Sequence, residues 1–316
     1  MMGEGTLRIL AMAAMAAVHL GLALVVGAIA SQGWLWRRSS AWRDAVVGQA
    51  LALRRLGFAF GLVGLLAALW VEAALMTGQP LMQAGPAVVT LLSHSHFGHA
   101  ALVGGVLWLA AAALLVPQAS RRDGAPRFAV SLGALAVFIA TRSVVSHAGS
   151  HGDLTVDVAV DWVHLLLVCT WVGIVAAGAR LALPPSGAPT VEREAATRWV
   201  ARMSTTATIA LVGIAATGLY KVWRAFEPAA SLVQFVDSGY GRTLAVKLVF
   251  VGVAAVLGAA NRFVVLPRLF AELAEAGDGG RWRRGLVRIL RFEAMTLLLV
   301  LIAAAVLSNT EPPGDA

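Results

Sequence analysis

The stretch His147–Gly173, HAGSHGDLTVDVAVDWVHLLLVCTWVG, sets three histidines and three aspartates in and beside a short loop. It then runs without a break into apolar sequence that carries Trp171 and Gly173. About 20 apolar residues are what a helix needs to cross the hydrocarbon of a bilayer, so the stretch reads as a polar loop at the mouth of a membrane span. Imidazole and carboxylate ligands at such a mouth suit the capture of a soft or borderline cation from the adjoining compartment.

Working outward, the whole chain shares that character. Of its 316 residues, 59% are hydrophobic and 13% are charged, and the mean hydropathy is +0.78. A soluble fold cannot bury so much apolar surface, so the solvent is lipid. The net charge of +8 does not point to nucleic acid, because the arginines stand in short clusters between apolar runs, where they report topology. The single Cys169 closes no intrachain disulfide and leaves the redox compartment unread.

Eight segments are apolar over a membrane's width, at about 6–30, 56–76, 98–116, 128–146, 161–183, 203–223, 243–265 and 286–307. The connections after the first, third, fifth and seventh hold 19 of the 25 lysines and arginines. The positive-inside rule puts that side in the cytoplasm and both termini in the periplasm. Ala28-Ile29-Ala30 before Ser31 has the form of a signal-peptidase site. The apolar run behind it is longer than the roughly 7 to 15 residues of a signal core, and removing it would strand the cluster from Arg37 to Arg55 outside, so a retained first helix is expected. The expected architecture is an all-α polytopic bundle forming one membrane domain over residues 1–316. Five spans and the histidine-rich outer loops occupy 1–183, and three further spans occupy 195–310.

Three connections invite local readings. Ser40 to Arg55 is either an interfacial helix, N-capped by Ser40 with Trp42, Val46 and Leu53 towards lipid, or an ordinary cytoplasmic linker. Gly85 to Ser95 is too short to span and carries Pro86, which favours a helix start, so a short helix lying against the bundle is expected. Pro184, Pro185, Gly187 and Pro189 mark the midpoint loop.

Sidedness rests on arginine and lysine alone, so the placement of the seven histidines is an independent observation. His94, His96 and His99 lie in or at the end of the second outer connection, His147 and His151 lie in the next, and His164 sits one turn inside the fifth span. Only His19 is mid-helix. Imidazole is a usual ligand for copper and zinc, and two or more rings must converge within about 2 Å of the ion to hold it. His94-x-His96 shares a side if extended, and His96-x-x-His99 shares a face if helical. His147 and His151 meet across one helical turn or a fold at Gly149. Asp161, three residues before His164, is placed to orient that ring from behind. Met76 and Met82 flank the first cluster with soft thioether sulfur. Headgroup anchoring is the plainer role for any single interfacial histidine, and helix packing for His19. Cys169 points about 140° away from His164 and reads as apolar filler.

The intramembrane charges carry two readings each. Glu72 shares a face with Met76 and either lines a way in or snorkels to the interface. Glu293 follows Arg288 and Arg291, so pairing with them is the simple expectation and a place in a cation or proton route the sharper one. Lys247 reads most simply as a snorkelling residue one turn into its span.

At this point SHAGS followed by DWVHLLLVCTWVG resembles the segment of the copper resistance protein D (CopD) family in which a GHA-type turn leads to an H-x6-W-x-G helix. TGLYKVW, YGRTLAVKL, NRFVVLPRL and RFEAMTLLLVLIAAAVLSNTEPP are similar to later family segments in the same order. LLSHSHFGHAALV resembles an earlier one that is usually nearer TxFG, so His94, His96 and His99 depart from the common pattern. The resemblance covers most of the chain from about Leu91. It implies a non-enzymatic inner-membrane protein of bacterial copper handling, thought to move copper towards the cytoplasm, often with a periplasmic CopC-type copper-binding partner. It marks His147, His164, Trp171, Gly173, Tyr240, Gly241, Arg242, Lys247 and Glu293 as family positions.

The leading expectation is a copper permease whose outer ring of His94, His96, His99, His147, His151 and His164 accepts copper, Cu(I) or Cu(II). Met76, Met82, Glu72, Asp161, Trp171 and Glu293 are candidates for the surrounding support or the route inward. No GxxxxGK[ST] loop is present, so direct use of ATP is not expected. The membrane potential supplies about 2.3 kcal/mol per charge per 100 mV. One alternative is a b-type haem electron carrier, which needs two imidazoles at matching depth on facing spans, and His19 lies too deep to pair easily with His164. Another is a copper sensor or assembly scaffold that transports nothing.

Overall fold

The computed structural model describes residues 4–35, 40–115, 124–180, 183–184, 188–225, 238–274 and 280–310, and no strand occurs among them. The helices are α1 (Glu4–Gly33), α2 (Ala41–Thr77), α3 (Gly85–His94), α4 (His96–Leu115), α5 (Gly124–Val144), α6 (Val156–Ala179), α7 (Thr190–Ala225), α8 (Gly239–Ala260), α9 (Leu266–Ala274) and α10 (Gly280–Leu307). A widened π turn at Asn261–Val265 joins α8 to α9. Single-turn 3-10 segments at Leu81–Gln83 and His147–Gly149 sit in two of the connections.

Seven helices among the described residues are long and apolar enough to cross a bilayer: α1, α2, α4, α6, α7, the run from α8 into α9, and α10. The expected fourth span is α5, whose apolar portion Phe128–Val144 is shorter. The protein is an all-α polytopic bundle, as its hydropathy pattern requires.

Side-chain caps set several helix starts. Ser40 accepts from the Arg43 amide at 3.2 Å, Thr155 from Val158 at 3.2 Å and Ser238 from Gly241 at 2.9 Å, each relieving a backbone N–H that the first turn leaves unbonded. α2 ends at Gly78, whose φ of 64° is left-handed and suits glycine.

α1 lies at the centre and packs against α2, α6 and α10. Lipid gives apolar side chains no reason to prefer protein, so helices associate where small residues let backbones approach. Gly27 of α1 meets Gly173 of α6 in this way: a Cβ on either would fall on backbone atoms of the other helix. Gly21 similarly lies on Gly57 and Gly61 of α2, and the opposite contact of Gly61 is the Trp108 ring. The Trp108 indole donates to the Phe58 carbonyl at 3.2 Å, and that of Trp199 donates to Ser31 at 3.2 Å, so buried indole N–H groups are satisfied across helices.

The first four turns of α2 differ from the sequence expectation. Ser40 caps this helix, but Trp42 and Val46 are 5% and 3% exposed and Leu53 is 3% exposed. They face the bundle, not lipid. The reason is that α2 is one helix of 37 residues, and its early turns are tied to the ends of α1 and α7. Trp42 donates its amide to Glu192 at 3.2 Å, and Arg54 reaches Gln32 at 2.8 Å. α3 is the short helix expected after Gly85, lying on α2 and α4. The expected midpoint loop is described only at Leu183, Pro184, Ala188 and Pro189, and Pro185 and Gly187 lie outside the described residues.

α6 sits between α7 and α10, and α8 rests mainly on α10. α7 and α8 touch little.

Candidate functional site

The six interfacial histidines lie at one end of the bundle, around the α3–α4 and α5–α6 connections. His94 closes α3, Ser95 is extended at φ −117°, and His96 opens α4. The H-x-x-H pair therefore shares a helical face, and His94 is set off from it by one extended residue. Ser93 holds two of the rings: Nδ1 of His94 is 2.6 Å from its hydroxyl and Nε2 of His99 is 3.2 Å from its carbonyl. His96 Nε2 pairs with Asp153 at 3.0 Å, which joins the two histidine loops. His147 Nε2 is 3.2 Å from the Ser308 carbonyl, and His151 Nδ1 is 3.0 Å from the Ser150 hydroxyl. His94, His96, His99, His147 and His151 are all exposed. Among the described residues no three of His, Cys, Asp and Glu are gathered closely enough to hold a metal ion.

A carbonyl or carboxylate only accepts, so His99 and His147, and His96 on Asp153, donate from Nε2. The Ser93 hydroxyl lies 2.7 Å from the Val89 carbonyl and 2.6 Å from Nδ1 of His94. Each of these four rings thus has one ring nitrogen with no hydrogen-bond partner among the described residues.

His164 is buried beneath this rim. Its Nδ1 lies 2.8 Å from the hydroxyl of Thr217 on α7, and that hydroxyl donates to the Gly213 carbonyl at 2.7 Å. Thr217 therefore holds Nδ1, and Nε2 of His164 has no hydrogen-bond partner among the described residues. Gly218 lies against the ring edge, where an added Cβ would meet Cε1 at 3.7 Å, an ordinary contact. Sequence reasoning assigned the orienting role to Asp161, but Asp161 is committed to Lys221 and Thr217 does the orienting.

The His164–Thr217 contact is the innermost of three polar rungs between α6 and α7. One turn nearer the rim, the Lys221 ammonium pairs with the buried Asp161 carboxylate. One further turn out, Asp157 accepts from Tyr220 at 2.8 Å and from Nε and Nη2 of Arg224 at 2.9 and 2.8 Å. The spacing that creates the ladder is plain: Asp157, Asp161 and His164 recur at i, i+4 and i+7 on α6, and Thr217, Lys221 and Arg224 do so on α7.

His19 was expected to lie too deep to pair easily with His164, but depth is not what separates them. Gly173 packs between Ala23 and Gly27, and at 1.5 Å per residue His164 stands about 13 Å and His19 about 9 Å towards the histidine end. They differ by less than one turn because α1 is a 30-residue helix, too long for residue count alone to give depth. Direction separates them: nine residues along α6 is about 180° from Gly173, so His164 turns to α7 while Gly173 faces α1. His19 has Asp161, Arg142, Lys221 and Lys247 within electrostatic range.

Farther in, the Trp171 indole donates to Glu293 at 3.2 Å, and the Glu293 carboxylate is 2% exposed. Asn261 of the π turn and Gly258 lie beside it. The expected pairing of Glu293 with Arg288 and Arg291 does not occur. Five and two residues of helix turn Arg288 and Arg291 about 140° and 200° away respectively, and Arg291 instead reaches the Ala179 carbonyl at 3.4 Å. Met76 and Met82 are 62% and 91% exposed, Glu72 is half-buried, and Cys169 is core filler. Lys247 is two turns into α8 and half-buried, with Lys221, Asp161 and His164 within electrostatic range. Thr217, Lys221, Asn261 and Arg142 were not singled out from the sequence. The signal for the first two was their position opposite Asp161 and His164 at matching helical spacing.

The described residues thus form a multi-pass helical bundle with imidazoles at one end and a polar ladder between α6 and α7 beneath them. The family model of copper resistance protein D matches residues 197–307, so that part of the chain is similar to the CopD family, and the seven membrane-length apolar helices fit a multi-pass membrane protein. The matched region contains Thr217, Lys221, Lys247, Asn261 and Glu293. No curated protein and no solved structure matches the chain.

Proposed function

We propose that this protein captures copper at the periplasmic face and carries it towards the cytoplasm. His94, His96, His99, His147 and His151 are the first ligands the ion meets, and His164 is the ligand that receives it inside the membrane. The observation that carries this reading is that Nδ1 of a buried His164 is held by Thr217 while its Nε2 has no hydrogen-bond partner among the described residues, since a metal-binding imidazole is usually fixed through its second nitrogen in this way. Exposed rings with one unpartnered nitrogen each suit a relay more than a storage site. Met76 and Met82 add soft sulfur at the same end, where Cu(I) is favoured. Glu72, Asp161, Trp171 and Glu293 continue a polar route through otherwise apolar helices. A CopC-type periplasmic copper protein would fit the exposed rim as donor.

Copper uptake into proteoliposomes of the full chain tests the transport claim. Inward movement that is lost in His164→Ala supports it. Tight binding with no uptake would leave a sensor or scaffold.

A further inference from the structure

Trp171 follows His164 by seven residues on α6, which puts it about 10 Å deeper on nearly the same stripe of the helix. Its indole donates to Oε1 of Glu293 at 3.2 Å. From the other side α8 packs along α10, and a Cβ on Gly258 would stand 3.4 Å from the same oxygen. Asn261, three residues on, shares that face of α8 and opens the π turn, which also rests on α10. Asn261 is 5% exposed, and neither its Nδ2 nor its Oδ1 has a hydrogen-bond partner among the described residues. A buried amide left open beside a buried carboxyl calls for a species that bonds to both.

Among the described residues no cation pairs with Glu293. Of the charged groups on the elements packed against α10, Asp157, Asp161 and His164 of α6 are engaged at α7, and His19 of α1 lies towards the histidine end. Arg262 of the π turn reaches Ser204 and Thr208 at 3.1 Å, and Arg268 of α9 stacks on Trp282. Lys247 stands 11 residues before Gly258, and Glu272 11 residues after Asn261, each about 16 Å along the helix. An unpaired carboxylate inside a bilayer is costly, and the species that neutralises it without needing a cavity is a proton. An amide serves both forms of a carboxyl: its oxygen accepts from a protonated Oε2, and its nitrogen donates to an ionised one.

We propose that Glu293, held between Trp171 and Asn261, is an intramembrane proton-binding site that is occupied while the metal route is empty and gives up its proton when copper enters. In the exchange the Oε2–H bond breaks, the proton leaves to water, and the carboxylate takes the Asn261 Nδ2 donor instead. One proton out for one Cu(I) in leaves the charge inside the bilayer unchanged. The exchange rests on the copper reading above, whereas the proton site does not.

Infrared difference spectroscopy of the metal-free full-length protein, titrated with pH, tests the site. A protonated-carboxyl C=O band at neutral pH, shifted in D2O, lost in Glu293→Gln and displaced in Asn261→Leu, is expected. If Glu293→Gln does not fold, Trp171→Phe, which removes the donor to Oε1, should displace the same band. Absence of the band from the wild-type protein, or a band indifferent to these changes, would overturn the site. Proton release on adding Cu(I) in weak buffer tests the exchange: the wild-type protein should release about one proton per copper more than Glu293→Gln. Equal release at equal copper loading would overturn the exchange. A wild-type protein that binds no copper would overturn the copper reading and leave the infrared band to decide the proton site.

Discussion

The hydroxyl of Thr217 holds Nδ1 of His164 at 2.8 Å and lies 2.7 Å from the Gly213 carbonyl. Thr217→Val keeps the shape of the side chain but removes the hydroxyl. Loss of such a support typically costs about 10- to 100-fold in metal affinity, so Cu(I) competition with a chelator should show a fall of that order. Thr217→Ser should restore most of it. Unchanged affinity in Thr217→Val would show that His164 is not a ligand.

The contact between Gly27 and Gly173 predicts a sharp intolerance of side chains. Gly27→Ala or Gly173→Ala puts a methyl group onto backbone, which cannot move aside as a side chain would. Overpacking costs about 1–3 kcal/mol and more where the backbone must shift. The thermal midpoint of the detergent-solubilised protein should drop in both variants. Gly105→Ala, with nothing within 4 Å of the added Cβ, should leave it nearly unchanged.

The Asp161–Lys221 pair is uneven, with side chains 5% and 42% exposed respectively. Lys221→Met strands a buried carboxylate. Breaking a fully buried pair costs about 3–5 kcal/mol, and the partly exposed lysine places this one at or below the lower end. Asp161→Asn combined with Lys221→Met should be less damaging than the two single changes summed, with a coupling of about 0.5–3 kcal/mol. Additive effects in denaturation would contradict the pairing.

Trp171→Phe removes the indole donor from a carboxylate that is 2% exposed. An unsatisfied buried acceptor costs about 1–3 kcal/mol, and Glu293→Gln, which still accepts, should cost less. The same loss in Trp171→Phe whether position 293 is Glu or Leu would show that packing alone matters there.

Much of this architecture was legible in the chain itself. The eight apolar runs correspond to α1, α2, α4, α5, α6, α7, α8 and α10, because a helix is the form in which an isolated segment satisfies its own backbone in lipid. The short α3 was legible from its length and Pro86. What escaped were relations between segments. Trp42, Val46 and Leu53 looked fit for lipid, since hydropathy cannot tell a bilayer from a neighbouring helix. Lys247 looked like an interfacial residue, since its neighbours Asp161 and Lys221 come from other spans. Glu293 looked paired with the arginines nearest in sequence, when its partner, Trp171, is 122 residues away. The exposed histidines were legible as residues, but which ring nitrogen each keeps free depends on Ser93, Asp153, Ser308 and Thr217, which periodicity does not reveal.

Copper bound by the purified full-length protein, measured beside His94→Ala/His96→Ala/His99→Ala and His147→Ala/His151→Ala/His164→Ala, bears most directly on the central claim. Reduced copper in each triple variant, with the larger loss in the one that removes His164, is the predicted result. Wild-type copper content in both would contradict it.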